Sequence, residues 1–444
     1  MGLSSAQLGA VEGLVRTAPD ALLTRLNIAL AAARHGDPVF APVSDIARAE
    51  AEERRARDII LSPLKALSRP AAPPRLALIS TAELSRFWRV IKAVEPERAE
   101  WAVRAALGPA NNDPIPPLYD TLAVAAAEAL RGPDAAAVAP FWPPEERARL
   151  AKLLMLTPVL RPMLPRLSGW VRNLNSESMA ALRLAFKDAI ATAEDVGPMF
   201  METLLIHLDE PSQILRVISA VMDRPSDRYL ASSELAGLGE RLLDDIDRRV
   251  QAVKSFDPDR GLEGGAAEAA SVQIASNAAK EFEQWLTLSR EGPWGGRVAA
   301  QKLALALASE ARMRETDKAV ALALPLQPQR AAGGVMLRPT PRLDQAPDPV
   351  RVRRAMGLLA FLDETRSSAA TAGFGALRAK IIEGLEIRMD QYVEDLLDLM
   401  HNPEDGRVVD RAQLRAFMEI AADVLGLLRG PKAAQIVRRR AAAA

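Results

Sequence analysis

The chain has 444 residues, 49% of them hydrophobic and 26% charged, and its 57 lysines and arginines balance 57 aspartates and glutamates. This composition suits two or three folded domains or one large helical array, and it excludes global disorder and collagen. Zero formal charge leaves no whole-chain grip on nucleic acid or an acidic membrane, and zero cysteine removes disulfides, thiolate nucleophiles, iron–sulfur clusters and cysteine-based zinc sites.

Helix-forming Ala, Leu, Arg and Glu dominate, while tyrosine (3) and phenylalanine (10) are too scarce for an ordinary sheet protein. The first half reads as short helices punctuated by proline. Helices are expected from Ser5 and from Pro19 to Ala33, followed by a charged helix over Ser44–Leu61. In that helix Arg48–Glu52, Glu50–Arg54 and Glu53–Arg57 have the i,i+4 spacing of ion pairs along a solvated face. Arg69–Arg75 reads as a Pro/Ala linker. Ser80 and Glu83 form a capping box ahead of Leu84, Phe87, Trp88 and Ile91. Pro96 opens another helix, the run from Pro109 is a loop, and five further helices are expected between Leu118 and Met222.

Longer helices follow in the second half. One runs from Ser232 or Ser233 to Phe256, a small-residue helix covers Gly265–Arg290, and another covers Arg297–Leu324. Pro325–Pro349 lacks periodicity and reads as a Pro/Gly-rich linker. Val350–Glu364 is helical. Gly375–Met400 carries Leu377, Ile381, Leu385, Met389, Val393, Leu396 and Met400 on one stripe, and Arg411–Leu428 returns antiparallel after a turn at Asn402. The fold expected is all-α: an irregular multi-helix array in the N-terminal half (1–230) and an antiparallel long-helix bundle in the C-terminal half. The bundle is split into 231–324 and 350–430 by the linker at 325–349, and 431–444 is a basic, alanine-rich tail.

Five constellations have residue types that carry chemistry. Asp223, Asp227, Asp244, Asp245 and Asp247 loosely resemble the magnesium–diphosphate aspartates of helical isoprenoid synthases, although Pro225 interrupts the first pair and Arg248 stands where a further acid is wanted. Asp257, Asp259 and Glu268 occupy positions one, three and twelve of a calcium loop, but Leu262 replaces the glycine needed at position six, so an interhelical turn is expected. The loop at Asn402 fails the same test. Asp398 and His401 supply one incomplete copy of a di-iron motif. Gly292–Arg297, with Trp294, leads into a helix N-terminus of the kind that holds phosphate, or else is a tight turn anchored by the indole. Arg351, Arg353 and Arg354, and Arg438–Arg440, form two basic runs without interleaved aromatics. The three histidines, His35, His207 and His401, are isolated and read as capping or packing residues.

No catalytic residue, metal ligand or cofactor site is assigned. The function expected is a non-catalytic helical scaffold, adaptor or regulatory protein that contacts another protein or itself. The alternatives are a metal-dependent diphosphate enzyme and a peripheral nucleic-acid or membrane-surface binder using the arginine runs. Met1–Leu14 lacks a basic start and carries Glu12, unlike a signal peptide, and no uncharged apolar run is long enough to cross a bilayer, so a cytoplasmic protein is expected.

Overall fold

The computed structural model describes residues 3–34, 40–69, 72–108, 117–330, 336–401 and 410–444. Among these residues the fold is all-α, with one two-stranded sheet. None of the described helices is long and apolar enough to cross a membrane. The chain divides into two compact units, Met1–Met222 and Asp223–Ala444.

The first unit contains α1 (Ser5–Thr17), α2 (Asp20–Arg34), α3 (Ala41–Ile60), α4 (Ser62–Lys65), α5 (Thr81–Val94), α6 (Pro96–Leu107) and α7 (Leu118–Arg131). It continues with α8 (Ala135–Val138), α9 (Pro144–Met155), α10 (Thr157–Arg172), α11 (Ser176–Thr192), α12 (Gly197–His207) and α13 (Ile214–Val221). Proline stands in the first turn of α6, α9, α10 and α12, where its missing N–H costs nothing. Helix α10 runs on through Pro162 and Pro165. Both prolines are exposed, on the side of the helix away from its buried residues Leu160, Met163 and Leu167.

Helix α3 serves two hydrophobic clusters. Its Ala47 joins Val15, Leu23 and Leu30 of α1 and α2 in a small one, while Ala56 and Ile60 join Phe87, Trp88, Ile91 and the buried faces of α7 and α9 in a large one. Between them, Arg54 reaches back to the end of α1 and donates to the Val15, Arg16 and Ala18 carbonyls at 3.1, 3.1 and 2.7 Å. This guanidinium satisfies carbonyls that the helix end leaves orphaned. Of the ion pairs expected along α3, Glu50–Arg54 forms at 2.7 Å. Arg48 pairs instead with Asp45, Arg57 with Asp58, and Glu53 with Lys92 and the Trp88 indole N–H. The Ser80–Glu83 capping box opens α5.

The second unit contains α14 (Asp227–Ala231), α15 (Ala236–Lys254), α16 (Gly261–Trp285), α17 (Gly295–Ala323), β1 (Leu326–Arg330), β2 (Met336–Pro341), α18 (Pro349–Glu364), α19 (Gly375–His401), α20 (Arg411–Arg429) and α21 (Pro431–Ala443). Within the stretch read as a linker, β1 and β2 pair antiparallel, Leu326 opposite Pro341, with an irregularity between Gln327 and Gln329. Pro328 lies at that irregularity, where a residue without an N–H is tolerated. The Arg338 guanidinium on β2 bonds the buried Asp395 carboxylate on α19 and pins the hairpin to the bundle. The segment read as a tail is helix α21. Two of its three arginines are bonded: Arg438 to Glu419 and Asp423, Arg440 to Glu394.

Helices α16 and α18 meet backbone to backbone. A Cβ at Gly265 would lie 2.0 Å from the Gly357 carbonyl oxygen, and one at Gly357 would lie 2.4 Å from the Pro258 carbonyl oxygen. Stacking of Phe256 on Phe361, with ring centroids 5.8 Å apart, extends the contact. Gly265→Ala is therefore expected to destabilise the protein by about 1–3 kcal/mol, because the helices must separate. Gly384→Ala, on an exposed face of α19 with nothing within 4 Å, should instead stabilise by up to about 1 kcal/mol. Thermal or urea unfolding of both variants checks the contrast; equal shifts would show that the crossing tolerates a side chain.

Candidate functional site

The five aspartates are placed in four different settings. Asp223 is exposed beyond the last turn of the first unit. Asp227 is buried, and its carboxylate accepts N–H bonds from Arg228 (2.8 Å), Ser289 and Gly295 (both 3.4 Å). Gly295 is the first residue of α17, so Asp227 fills the helix N-terminus that the sequence offered to phosphate. Gly292 leaves room for it, since a Cβ there would come 2.0 Å from Asp227 Oδ2. Asp244 and Asp247 share Arg297, at 2.5 and 2.6 Å, with Glu240 at 2.9 Å. Asp245 is buried against Arg248 and Arg249. Trp294 seals this corner: it is buried, donates to Glu240 at 2.6 Å, stands edge-on to Phe282 and covers Gly239. Capping and ion pairing thus occupy four of the five carboxylates that would have to converge on a diphosphate, and the fifth, Asp223, is exposed.

The other acidic candidates are also dispersed. Asp257 accepts from the Asp259 N–H at 3.0 Å and so starts a tight turn, while Asp259 meets Arg354 at 3.4 Å. Glu268 lies on α16, nine-tenths buried, and its Oε2 has no hydrogen-bond partner among the described residues. Burial pushes its carboxyl above the ordinary value, opposed by Arg260. Asp398 is exposed, and His401 Nδ1 lies 2.8 Å from the Leu397 carbonyl of its own helix. His207 Nε2 lies 3.2 Å from the Pro63 carbonyl, and burial, aided by Arg69, holds its pKa below the usual histidine value despite that bond. His35 and the loop after Asn402 lie outside the described residues. Among the described residues no group of three or more His, Asp or Glu is arranged to hold a metal ion.

Two of the three arginines in each basic run are occupied as well. Arg351 pairs with Asp348, and Arg354 with Asp259 and Glu315. In the second unit a cavity of about 420 Å³ lies between α19, α20 and α21, floored by Leu414 and Met418.

A different cationic feature stands in the first unit. A cleft of about 650 Å³ is walled by Arg16 at the end of α1, Arg54 and Arg57 of α3, Lys65 of α4, Arg69, and Arg86 and Arg89 of α5. Its lining carboxylates are Asp20 and Asp58, its hydroxyls are Thr17, Ser68, Thr81 and Ser85, and no aromatic ring lines it among the described residues.

Arg57 is buried and fixed: Nε and Nη2 donate to Asp58 at 3.0 and 2.7 Å, and Nη1 donates to Ser85 Oγ at 2.7 Å. Burial would raise the Asp58 pKa, but hydrogen bonds from Lys65 and Arg57 outweigh it and hold the carboxyl below its usual range. Arg54 bonds Asp20 and Glu50, Arg16 bonds Glu12, and Arg86 stands 3.7 Å from Glu83. Seven cations therefore face five carboxylates in or beside the cleft. Glu53, whose field also reaches Arg16, is already committed to Lys92 and Trp88. Arg69 and Arg89 are exposed, and no acidic side chain pairs with them among the described residues; Arg89 lies over the Phe141 ring, 4.9 Å from its centroid.

The pattern along the chain does not display this cleft, because its cations come singly or in twos from four helices and a turn. The available local signals are the three-residue spacings Arg54–Arg57 and Arg86–Arg89, each of which puts two guanidinium groups on one helix face.

Glu268 supplies a pH test of the buried-acid assignment. An acid whose folded-state pKa is raised favours folding when protonated, and that contribution is lost as pH rises through the folded pKa. Glu268→Gln should therefore raise Tm near pH 7 and change nothing at about pH 4. A Tm gain of equal size at both pH values would show that the carboxyl is not titrating in a buried setting. In comparisons with known proteins, the chain matches no family model, and no curated protein or solved structure matches it at a significant level.

Proposed function

We propose that this chain is a non-catalytic helical binding protein that acts through protein–protein contacts and takes an acidic segment of its partner in the cationic cleft of the first unit. The observation that carries this reading is the gathering of seven cationic side chains around one cleft with two lining carboxylates. The overall charge of the chain is zero, so this concentration is local and suits recognition of a particular acidic group rather than a general attraction. Among the described residues the lining has no aromatic ring to stack a nucleobase, which favours a protein segment over a single-stranded nucleic acid. Arg57 is held by Asp58 and Ser85 before any ligand arrives, so part of the ordering cost of binding is already met.

Titration of a fluorescent Asp/Glu-rich peptide tests the reading. The full chain should bind it with an affinity that falls steeply as salt rises from about 50 to 300 mM. The double variant Arg69→Glu, Arg89→Glu should bind at least about tenfold more weakly with little change in Tm, because both side chains are exposed. Equal affinity of wild type and variant, or no binding by wild type, would overturn it.

A further inference from the structure

Resting on the reading just given, we infer that the group the cleft takes from its partner is a phosphate monoester, carried on a serine or threonine side chain. Three observations point there. The first is the charge balance. Seven cations against five carboxylates leave two positive charges uncompensated. A phosphate monoester carries about −1.5 to −2 at neutral pH, whereas a carboxylate carries −1. The second is the donor type. Six of the seven cations are arginines, whose planar forks match phosphoryl oxygens two at a time; Arg54 contributes charge alone, since its five N–H groups are spent on Glu50, Asp20 and the carbonyls of Val15, Arg16 and Ala18. The buried Arg57 is held in fixed orientation by Asp58, which takes its Nε and Nη2, and by Ser85, which leaves one N–H on each terminal nitrogen unused by either. The third is the pair of hydroxyls at Thr81 and Ser85, which can donate to the oxygens that the guanidinium groups leave: Ser85 accepts from Arg57 and keeps its own O–H, whereas the hydroxyls of Thr17 and Ser68 already donate to backbone carbonyls. A cleft of about 650 Å³ holds the phosphorylated side chain together with neighbouring backbone. Arg69 and Arg89, exposed and free of acidic partners among the described residues, are the cations that gain most from its arrival.

The experiment uses the full chain and three short Gly/Ala peptides that differ at one position: phosphoserine, glutamate or serine. Inorganic phosphate serves as the free-ligand probe. Calorimetry or fluorescence anisotropy near pH 7.5 should show the phosphoserine peptide binding at least about tenfold more tightly than the glutamate peptide. The serine peptide should not bind. The phosphoserine advantage should shrink as pH falls through about 6, where the phosphate loses its second charge. Arg69→Gln with Arg89→Gln, which leaves the buried Arg57 in place, should remove most of that advantage with an unchanged melting curve. Inorganic phosphate should compete, but more weakly than the peptide.

Equal binding of the phosphoserine and glutamate peptides would overturn the phosphate assignment while leaving the acidic-segment reading intact. Inorganic phosphate binding as tightly as the phosphopeptide would overturn the partner protein as its source and point to a small phosphorylated ligand. Tighter binding of a single-stranded oligonucleotide than of the phosphopeptide would overturn it in favour of nucleic acid. Failure of the Asp/Glu-rich peptide and of all anionic probes alike would remove the earlier reading as well.

Discussion

Direct backbone contact between α16 and α18 sets the geometry of the second unit. Glycine at 265 lets the Gly357 carbonyl of α18 sit where a side chain would stand, glycine at 357 does the same for the Pro258 carbonyl in the turn that leads into α16, and neighbouring small residues such as Ala269 and Ala360 are buried as well. A chain with only 4% aromatic residues has few bulky groups with which to fill wide gaps between helices. Close approach is its alternative route to dense packing. The few large rings are then spent at corners, Phe256 against Phe361 and Trp294 over Gly239, where they fix the ends of the neighbouring helices.

Electrostatics follows a similar economy. Many described arginines of the second unit are tied to an acid on another helix or a turn away on their own, as Arg297 is to Glu240, Asp244 and Asp247, and Arg429 to Asp390. Exposed pairs of this kind contribute little stability each, but they neutralise the surface and orient the helices that carry them. Against that background the cleft of the first unit is exceptional, since it concentrates cations beyond the acids available to neutralise them.

Helix positions were readable from the chain because the apolar stripes are long. On α19, Leu385, Met389, Val393 and Leu396 recur at helical steps and all are buried. The capping box at Ser80 and Glu83 was equally readable, since both partners lie within one turn. The hairpin was hidden because Pro328 and Pro339 break the alternation by which strands are recognised. Helix α21 was hidden because its buried stripe amounts to Ala434 and Val437 among arginines and alanines. The fate of Asp227 and the gathering of Arg16, Arg57, Lys65 and Arg89 could not be read locally. Both depend on contacts between residues far apart in sequence, such as the 68-residue separation of Asp227 and Gly295. Adjacent arginines such as 438–440 stand out along the chain, though two of the three are held by acids on neighbouring helices.

The attachment of α1 and α2 has a consequence for how an occupant would be felt. These two helices rest on a slender apolar patch, Val15, Leu23, Leu30 and Ala47, and on the Arg54 clasp. One rim of the cleft, Arg16 to Asp20, belongs to this lightly held layer, and the opposite rim belongs to α5 and the large core. A small cooperative element of this kind opens at lower free energy than the body it leans on. Anything that bridged the two rims would act as a stitch, and the first thirty residues would register its presence through slower amide exchange.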